Sequence, residues 1–241
     1  MTSLLVRPRR ALLTIGVSVI GLSVAHAQGQ ARWYLSALGS DTLSLERFER
    51  AGNTITGLWV TYYSGVGADR HREILCHEYT IALAADGRPR SVHLLLRHPG
   101  GDIRRTYDAR ITDDSMVITS KIVTPPATLP PTRFAAERGF PLLGSAMSMF
   151  ELFIADARKG RSAPDSAAVV LVPIAGAAAA QSNRVVLTLL SANTLRFGQG
   201  TIFTGPRGAI DSLVAPDGRV PVRQVGAFDI HAIALAASKA P

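Results

Sequence analysis

The sequence is poor in cysteine, lysine and aromatic residues. One cysteine among 241 residues excludes an intrachain disulfide framework and a zinc site built on two or four cysteines. A hydrophobic fraction of 47% excludes a disordered charged tail and a collagen-like repeat. Of the 26 basic residues only three are lysines, and the arginines are scattered rather than clustered. Scattered charge does not favour a nucleic-acid partner, so we expect none.

The first 27 residues have the three parts of a secretory leader. Arginines between 7 and 10 precede an apolar run at 11–24, and Ala-His-Ala follows at 25–27. This pattern predicts a signal peptide cleaved after Ala27, so that the mature chain begins at Gln28 and is periplasmic or extracellular. The apolar run is shorter than the ~20 residues that span a bilayer, so we predict that the mature chain does not cross the membrane.

The leader also affects the export route and the charge balance. Its paired arginines fit the twin-arginine pattern loosely, but such pairs are common in ordinary leaders, which favours Sec export. Removing three arginines and no acid leaves 23 basic and 18 acidic residues, so the formal charge falls from +8 to +5. This charge is compatible with contact to an anionic envelope surface without specifying one.

Most of the mature chain alternates apolar and polar residues between turn-forming Gly, Asn and Asp, which predicts antiparallel strands. In the N-terminal β region, 28–124, the predicted strands are 32–38, 42–50, 54–63, 73–84, 90–98, 103–111 and 116–123. In the C-terminal β region, 166–241, they are 167–173, 184–190, 194–204, 209–214 and 220–235, the last interrupted near Gly226. Short connections force antiparallel neighbours. The predicted fold is mainly β, an antiparallel meander forming a curved sheet, half-barrel or sandwich.

A Pro-rich linker and one helix are predicted between these regions, over 125–165. Four prolines within 125–131 favour extended linker structure. A helix is predicted over 142–159, with Pro141 at its start and basic residues in its last turn. Because its apolar residues lie on several sides, we expect this helix to be buried, packed inside a curved sheet as part of one domain.

The catalytic candidates are Glu78, His93 and Asp108. Two-residue turns at Asp86-Gly87 and Gly100-Gly101 would place Glu78 opposite Leu95 and His93 opposite Asp108, on the polar face of the predicted sheet. Carboxylates that orient an imidazole can support acid–base chemistry. Cross-strand ion pairs on a solvated face would have the same sequence pattern, and this second interpretation is favoured.

The sequence contains no established catalytic or metal-binding motif in its mature part. Gly-x-Ser-x-Gly and Ser-x-x-Lys elements are absent, as is a glycine-rich phosphate loop leading into a helix. The side chains of Cys76 and His77 point in opposite directions on a strand, which favours a buried structural thiol. Metal-ligand residue types occur without His-Glu-x-x-His spacing at His71, His77, Glu78, His93 and His98. We therefore predict neither a metal nor another cofactor.

Two resemblances bear on function. The stretch Gly-Ser-Asp-Thr-Leu-Ser-Leu-Glu-Arg-Phe at 39–48 resembles the opening of exported, β-rich bacterial proteins with no assigned activity. A curved antiparallel sheet with a buried helix also looks like the LolA-type periplasmic lipoprotein carriers. The second resemblance implies a concave apolar face able to hold a lipid or acyl chain, but it transfers no binding residue.

These features favour a non-enzymatic envelope protein that binds a hydrophobic ligand or another envelope component. The expected partners are a lipid or other apolar ligand, or an envelope protein. The alternatives are an envelope hydrolase using the Glu78, His93 and Asp108 cluster, and a structural assembly module. Fold alone cannot choose between them.

Overall fold

The computed structural model describes most of the chain beyond the predicted leader. The described residues are 29–38, 41–64, 72–112, 115–123, 125–135, 141–143, 146–159, 167–171, 181–185, 187–205, 208–219 and 221–239. The predicted signal peptide, the cleavage point at Ala27 and Gln28, and His71 lie outside them.

A curved, 13-stranded antiparallel sheet that does not close on itself dominates the fold. Its first eight strands in chain order are β1 (Arg32–Leu38), β2 (Asp41–Ala51), β3 (Thr54–Ser64), β4 (Arg72–Leu83), β5 (Pro89–Arg97), β6 (Ile103–Ile111), β7 (Ser115–Ile122) and β8 (Ala127–Ala135). The other five are β12 (Leu187–Ser191), β13 (Thr194–Phe197), β14 (Gly200–Thr204), β15 (Ile210–Val214) and β16 (Val222–Val225). The sheet runs from β12 through β16, continues at β1 and ends at β8.

A second, smaller sheet and two helices complete the described structure. The small sheet contains β9 (Pro141–Leu143), β10 (Ala167–Leu171) and β11 (Gln181–Val185), with β10 central. The helices are α1 (Met147–Arg158) and α2 (Ile230–Ser238). Antiparallel pairing of β16 with β1 joins the two β-rich halves into one sheet.

Helix α1 packs against one face of the large sheet, which we call the inner face. Alternate residues of the central strands point to this face, including Phe48, Tyr79 and Leu94, and they form one hydrophobic cluster with α1. Phe153 and Ile154 of α1 are fully buried in that cluster. Burial of an apolar helix face in a concave sheet removes apolar area from water, which is the main force that holds α1 in place.

Helix α2 covers part of the opposite, outer face. Ile230 and Ala234 pack on residues of β2, β3 and β4, among them Val60 and Cys76. Cys76 is a free, buried thiol, and burial raises its pKa. No helix among the described residues is both long enough and apolar enough to cross a membrane.

The predicted mainly β fold is confirmed, and the first seven predicted strands lie within two residues of the observed ones at each end. The predicted register is also confirmed, because Glu78 pairs with Leu95 and His93 pairs with Asp108. The buried helix was placed correctly inside the curved sheet, although it begins at Met147, since residues 141–143 form β9.

Four predictions for the second half are wrong in detail. The predicted strand 184–190 is divided between the end of β11 in the small sheet and β12 in the large sheet. Residues 127–135, assigned partly to a linker, form β8 at the sheet edge, where proline is tolerated because one side of the strand needs no ladder hydrogen bonds. The predicted strand 194–204 is a hairpin of β13 and β14. The predicted strand 220–235 is the short β16 followed by α2, so the fold has a second helix.

Candidate functional site

A buried carboxylate fixes the N-terminus of α1 to the inner face. Ala146, the residue before α1, provides no side-chain cap. Glu46 of β2 replaces it: its carboxylate accepts hydrogen bonds from the backbone N–H groups of Met147 at 2.5 Å and Ser148 at 3.2 Å. The Tyr79 hydroxyl donates to the same carboxylate at 2.5 Å and lies 2.8 Å from Ser148 Oγ. A strand residue thus satisfies helix N–H groups that would otherwise be unpaired.

Gly57 of β3 provides the space for this network. It pairs with Tyr79 across the strands, and the Tyr79 ring lies over it. A Cβ atom at position 57 would lie 2.2 Å from the Tyr79 ring, so any other residue would displace the ring. The absence of a side chain at Gly57 therefore positions the Tyr79 hydroxyl at Glu46.

Burial has the largest effect on the pKa values of Glu46 and Tyr79. Desolvation raises the pKa of the Glu46 carboxyl, while hydrogen bonds from Tyr79 and from the backbone at Met147 and Ser148 lower it. Desolvation, the nearby Glu46 charge and the hydrogen bond to Glu46 raise the pKa of Tyr79 well above its usual range. The cluster is buried and joins α1 to the sheet, so it fixes the position of the helix.

His77 is a second buried polar group on the inner face. Its ring stacks on Trp59 with centroids 4.6 Å apart, and Nδ1 donates to the Trp59 carbonyl at 3.1 Å. Nε2 then carries a lone pair, and neither this atom nor the Trp59 Nε1–H donor has a hydrogen-bond partner among the described residues. Burial lowers the pKa of His77 to about 4, so the ring is neutral at pH 7.

A cleft opens beside α1, between this helix and the inner face, and we call it the α1 cleft. Its volume is about 1130 Å³, slightly above the usual range of about 300–1,000 Å³ for small-molecule sites. Apolar parts of the lining come from Phe48, Ile55 and Leu152, and Ala155 of α1 borders the open side. Charged residues surround this apolar part: Arg32, Arg50, Glu151, Arg158, Lys159 and Asp211.

One wall of the α1 cleft is held by a polar contact between α1 and the sheet. Arg32 forms an ion pair with Glu151, and the Tyr34 hydroxyl lies 2.5 Å from Glu151 Oε1. The same hydroxyl lies 2.9 Å from the Ile210 carbonyl oxygen, and burial raises its pKa. These contacts stabilise the wall, and the ion pair with Arg32 neutralises the charge of Glu151.

The predicted polar row lies on the outer face, away from the α1 cleft. His93 Nδ1 lies 2.7 Å from Asp108 Oδ1, and about half of each side chain is exposed, 49% and 54%. Glu78 instead forms an ion pair with Arg97. The structure joins two of the three candidates and pairs the third elsewhere, and a catalytic role for them stays a prediction.

The other described residues of metal-ligand type are dispersed. His77 points to the inner face and Glu78 to the outer one, as alternation predicted. His98 lies at the sheet rim, where Nε2 is 2.6 Å from Arg104 Nη1. Among the described residues, no three His, Cys, Asp or Glu side chains form a group that could hold a metal ion.

The sequence interpretation missed both Glu46 and the α1 cleft. On β2, Leu43 and Leu45 marked one side as apolar, but these residues face outwards, and the inner side carries Glu46, Phe48 and Arg50. Pairing β2 with β3, where Trp59 is on the apolar side, would have identified Glu46 as a buried carboxylate. The cleft depends on where α1 lies, which no local pattern contains.

Comparisons of the chain with protein-family models, with curated proteins and with solved structures found no match.

Proposed function

We propose that this protein is an exported, non-enzymatic envelope protein that binds one hydrophobic or amphiphilic ligand in the α1 cleft. The supporting observation is the cleft itself, about 1130 Å³ in volume, with apolar residues of the sheet and α1 in its lining. Such concave, largely apolar sites with a few polar groups are the usual form of small-molecule sites. The architectural resemblance to LolA-type carriers motivates the same proposal.

The arrangement of the core favours a ligand beside α1 rather than underneath it. Side chains of α1 already fill the centre of the inner face, where Leu94 and Phe153 are fully buried. A ligand there would have to displace the helix and lose the Glu46 contacts. The α1 cleft needs no such displacement, since it is open to solvent in the structure.

Blocking the cleft tests the proposal. Ala155 is exposed on α1 and lines the cleft, so Ala155→Trp fills it with an indole ring without disturbing the buried side of the helix. We expect the full chain to bind the neutral fluorescent probe N-phenyl-1-naphthylamine at one saturable site. The substitution should weaken binding at least about tenfold, the equivalent of about 1.4 kcal/mol.

The matched control is Ala236→Trp, which adds the same ring at an exposed position of α2 outside the cleft lining. The control should bind the probe within about twofold of the unmodified protein, a difference of only a few tenths of a kcal/mol. Equal probe affinity for both variants, or no saturable binding by the unmodified chain, would refute the proposal. Thermal unfolding of both variants establishes that they are folded.

A further inference from the structure

We propose that the α1 cleft selects amphiphiles that carry an anionic group, a carboxylate or phosphate attached to an apolar chain. This inference rests on the proposed function and specifies its ligand class. It follows from the charges in the cleft lining and from which of them are already neutralised.

The lining contains four cationic and two anionic side chains. Arg32 and Glu151 neutralise each other in an ion pair. The other cations are Arg50, Arg158 and Lys159, and none of the ion pairs among the described residues involves them. Three positive charges in the lining therefore have no carboxylate partner in the described part of the chain.

Two of these three cations, Arg158 and Arg50, are held in place by uncharged acceptors and are not neutralised. Arg158 donates to the Ala192 carbonyl at 2.7 Å and to Thr204 Oγ1 at 2.6 Å, both uncharged acceptors. Arg50 donates through Nε to the Gly52 carbonyl at 3.1 Å. Lys159 follows the last residue of α1, and all three side chains are exposed to solvent.

A glycine permits the approach of one of these cations. Gly208 has φ +77°, and a Cβ atom there would lie 3.0 Å from Arg158 Nη1. A side chain at this position would be strained and would push against the guanidinium. The loop before β15 thus leaves room for the Arg158 guanidinium in the cleft lining.

Two groups oppose an anion, and neither cancels the positive charge. Asp211 contributes one negative charge to the lining. The C-terminus of α1 carries a partial negative charge of about half an elementary charge. Three unpaired cations exceed their sum, so the local field favours a negative group.

The apolar lining lies in the same cleft as these cations, which favours an amphiphile over a free anion. Arg50 pairs with Ile55 across β2 and β3, and both residues line the cleft. Leu152 and Ile154 of α1 are buried and also contribute to the lining. An acyl chain could contact these residues while its anionic group remains near the cations.

Displacement of N-phenyl-1-naphthylamine distinguishes the ligand classes. Laurate carries an alkyl chain and an anionic group. 1-Dodecanol carries the alkyl chain without the anion, and inorganic phosphate is an anion without an alkyl chain. We expect laurate to displace the probe at roughly tenfold lower concentration than dodecanol, and phosphate to displace little, because a charge-assisted contact adds on the order of 1.4 kcal/mol. Raising the salt concentration should reduce the preference for laurate.

The double variant Arg50→Gln, Lys159→Gln assigns the preference to the cleft. It should reduce the ratio of laurate affinity to dodecanol affinity roughly tenfold relative to the unmodified protein. Its matched control is Arg110→Gln, Lys121→Gln, which removes an exposed arginine and an exposed lysine outside the cleft lining and gives the same net charge. The control should keep the preference for laurate.

The alternative outcomes overturn different claims. Equal binding of laurate and dodecanol, or loss of the preference in the control variant, would overturn the anionic selectivity and leave the proposed function standing. Phosphate that binds as tightly as laurate would overturn the requirement for a chain. If neither the probe nor any chain-bearing ligand binds, the proposed function itself fails.

Discussion

Glu46→Ala is expected to destabilise the protein by about 3–5 kcal/mol, because it leaves two buried N–H groups without an acceptor and removes the cap of α1. The side chain is 2% exposed and accepts hydrogen bonds from Met147, Ser148 and Tyr79. Alanine would leave the backbone N–H groups of Met147 and Ser148 buried without their acceptor, and each such group costs about 1–3 kcal/mol. The Tyr79 hydroxyl would keep Ser148 Oγ as its acceptor. The substitution would also remove the only side-chain cap that α1 receives among the described residues.

Urea unfolding followed by circular dichroism measures this loss. Glu46→Gln keeps an acceptor oxygen and the side-chain volume, so it should cost only about 1–2 kcal/mol. Glu49→Ala is the matched control, because Glu49 lies on the same strand, its side chain is 44% exposed and its ion pair is with the neighbouring surface residue Arg47. It should change stability by no more than about 0.5 kcal/mol. Equal losses for Glu46→Ala and Glu49→Ala would refute the anchoring role of Glu46.

Stability is expected to fall by roughly 3 kcal/mol as the pH drops from about 6.5 to about 4, because of His77. Burial lowers the folded-state pKa of this ring to about 4, whereas its unfolded value is about 6.5. The unfolded chain therefore binds a proton that the folded chain excludes. The contribution of neutral His77 is complete above the unfolded pKa and is lost as the pH falls towards the folded one.

Glu46 changes stability with pH in the opposite direction, so its contribution must be distinguished from that of His77. Because its folded-state pKa is raised, its contribution is complete below the unfolded carboxyl pKa and is lost as the pH rises through the folded value. The difference in unfolding free energy between the unmodified protein and His77→Gln, measured from about pH 4 to pH 7.5, isolates the histidine. Parallel curves for the two proteins would contradict a buried neutral His77.

Much of the first half of the fold was predictable because turns there are short. Close to the turns at Asp86-Gly87 and Gly100-Gly101 the ladders are one residue out of the register that two-residue turns predict, since Leu83 pairs with Pro89 and Arg97 with Ile103. A bulge in each ladder restores the predicted register, so Glu78 and His93 have the predicted partners.

Helix α2 was missed because its residues are apolar almost throughout, which hides the helical period. The available signal was Asp229, whose side chain accepts a hydrogen bond from the Ala232 N–H at 3.0 Å as an N-cap. The start of α1 lacked even this signal. Its cap is Glu46, which lies about 100 residues earlier in the sequence, so only the tertiary fold brings the two together.

The same difference between local and long-range contacts applies to the candidate functional residues. The His93–Asp108 contact was predictable because it depends on local register. The α1 cleft depends on the seating of α1 against the sheet, so Arg50, Ala155 and Lys159 could not be recognised as neighbours of one site from the sequence. Residues brought together by a packed helix have no fixed spacing along the chain.

A crystal structure of the full chain grown with laurate tests the central claim most directly. The account predicts one laurate in the α1 cleft, with its chain against Leu152 and its carboxylate within hydrogen-bond distance of Arg50 or Lys159. A cleft that stays empty at a saturating laurate concentration, with the ligand bound elsewhere or not at all, would contradict it.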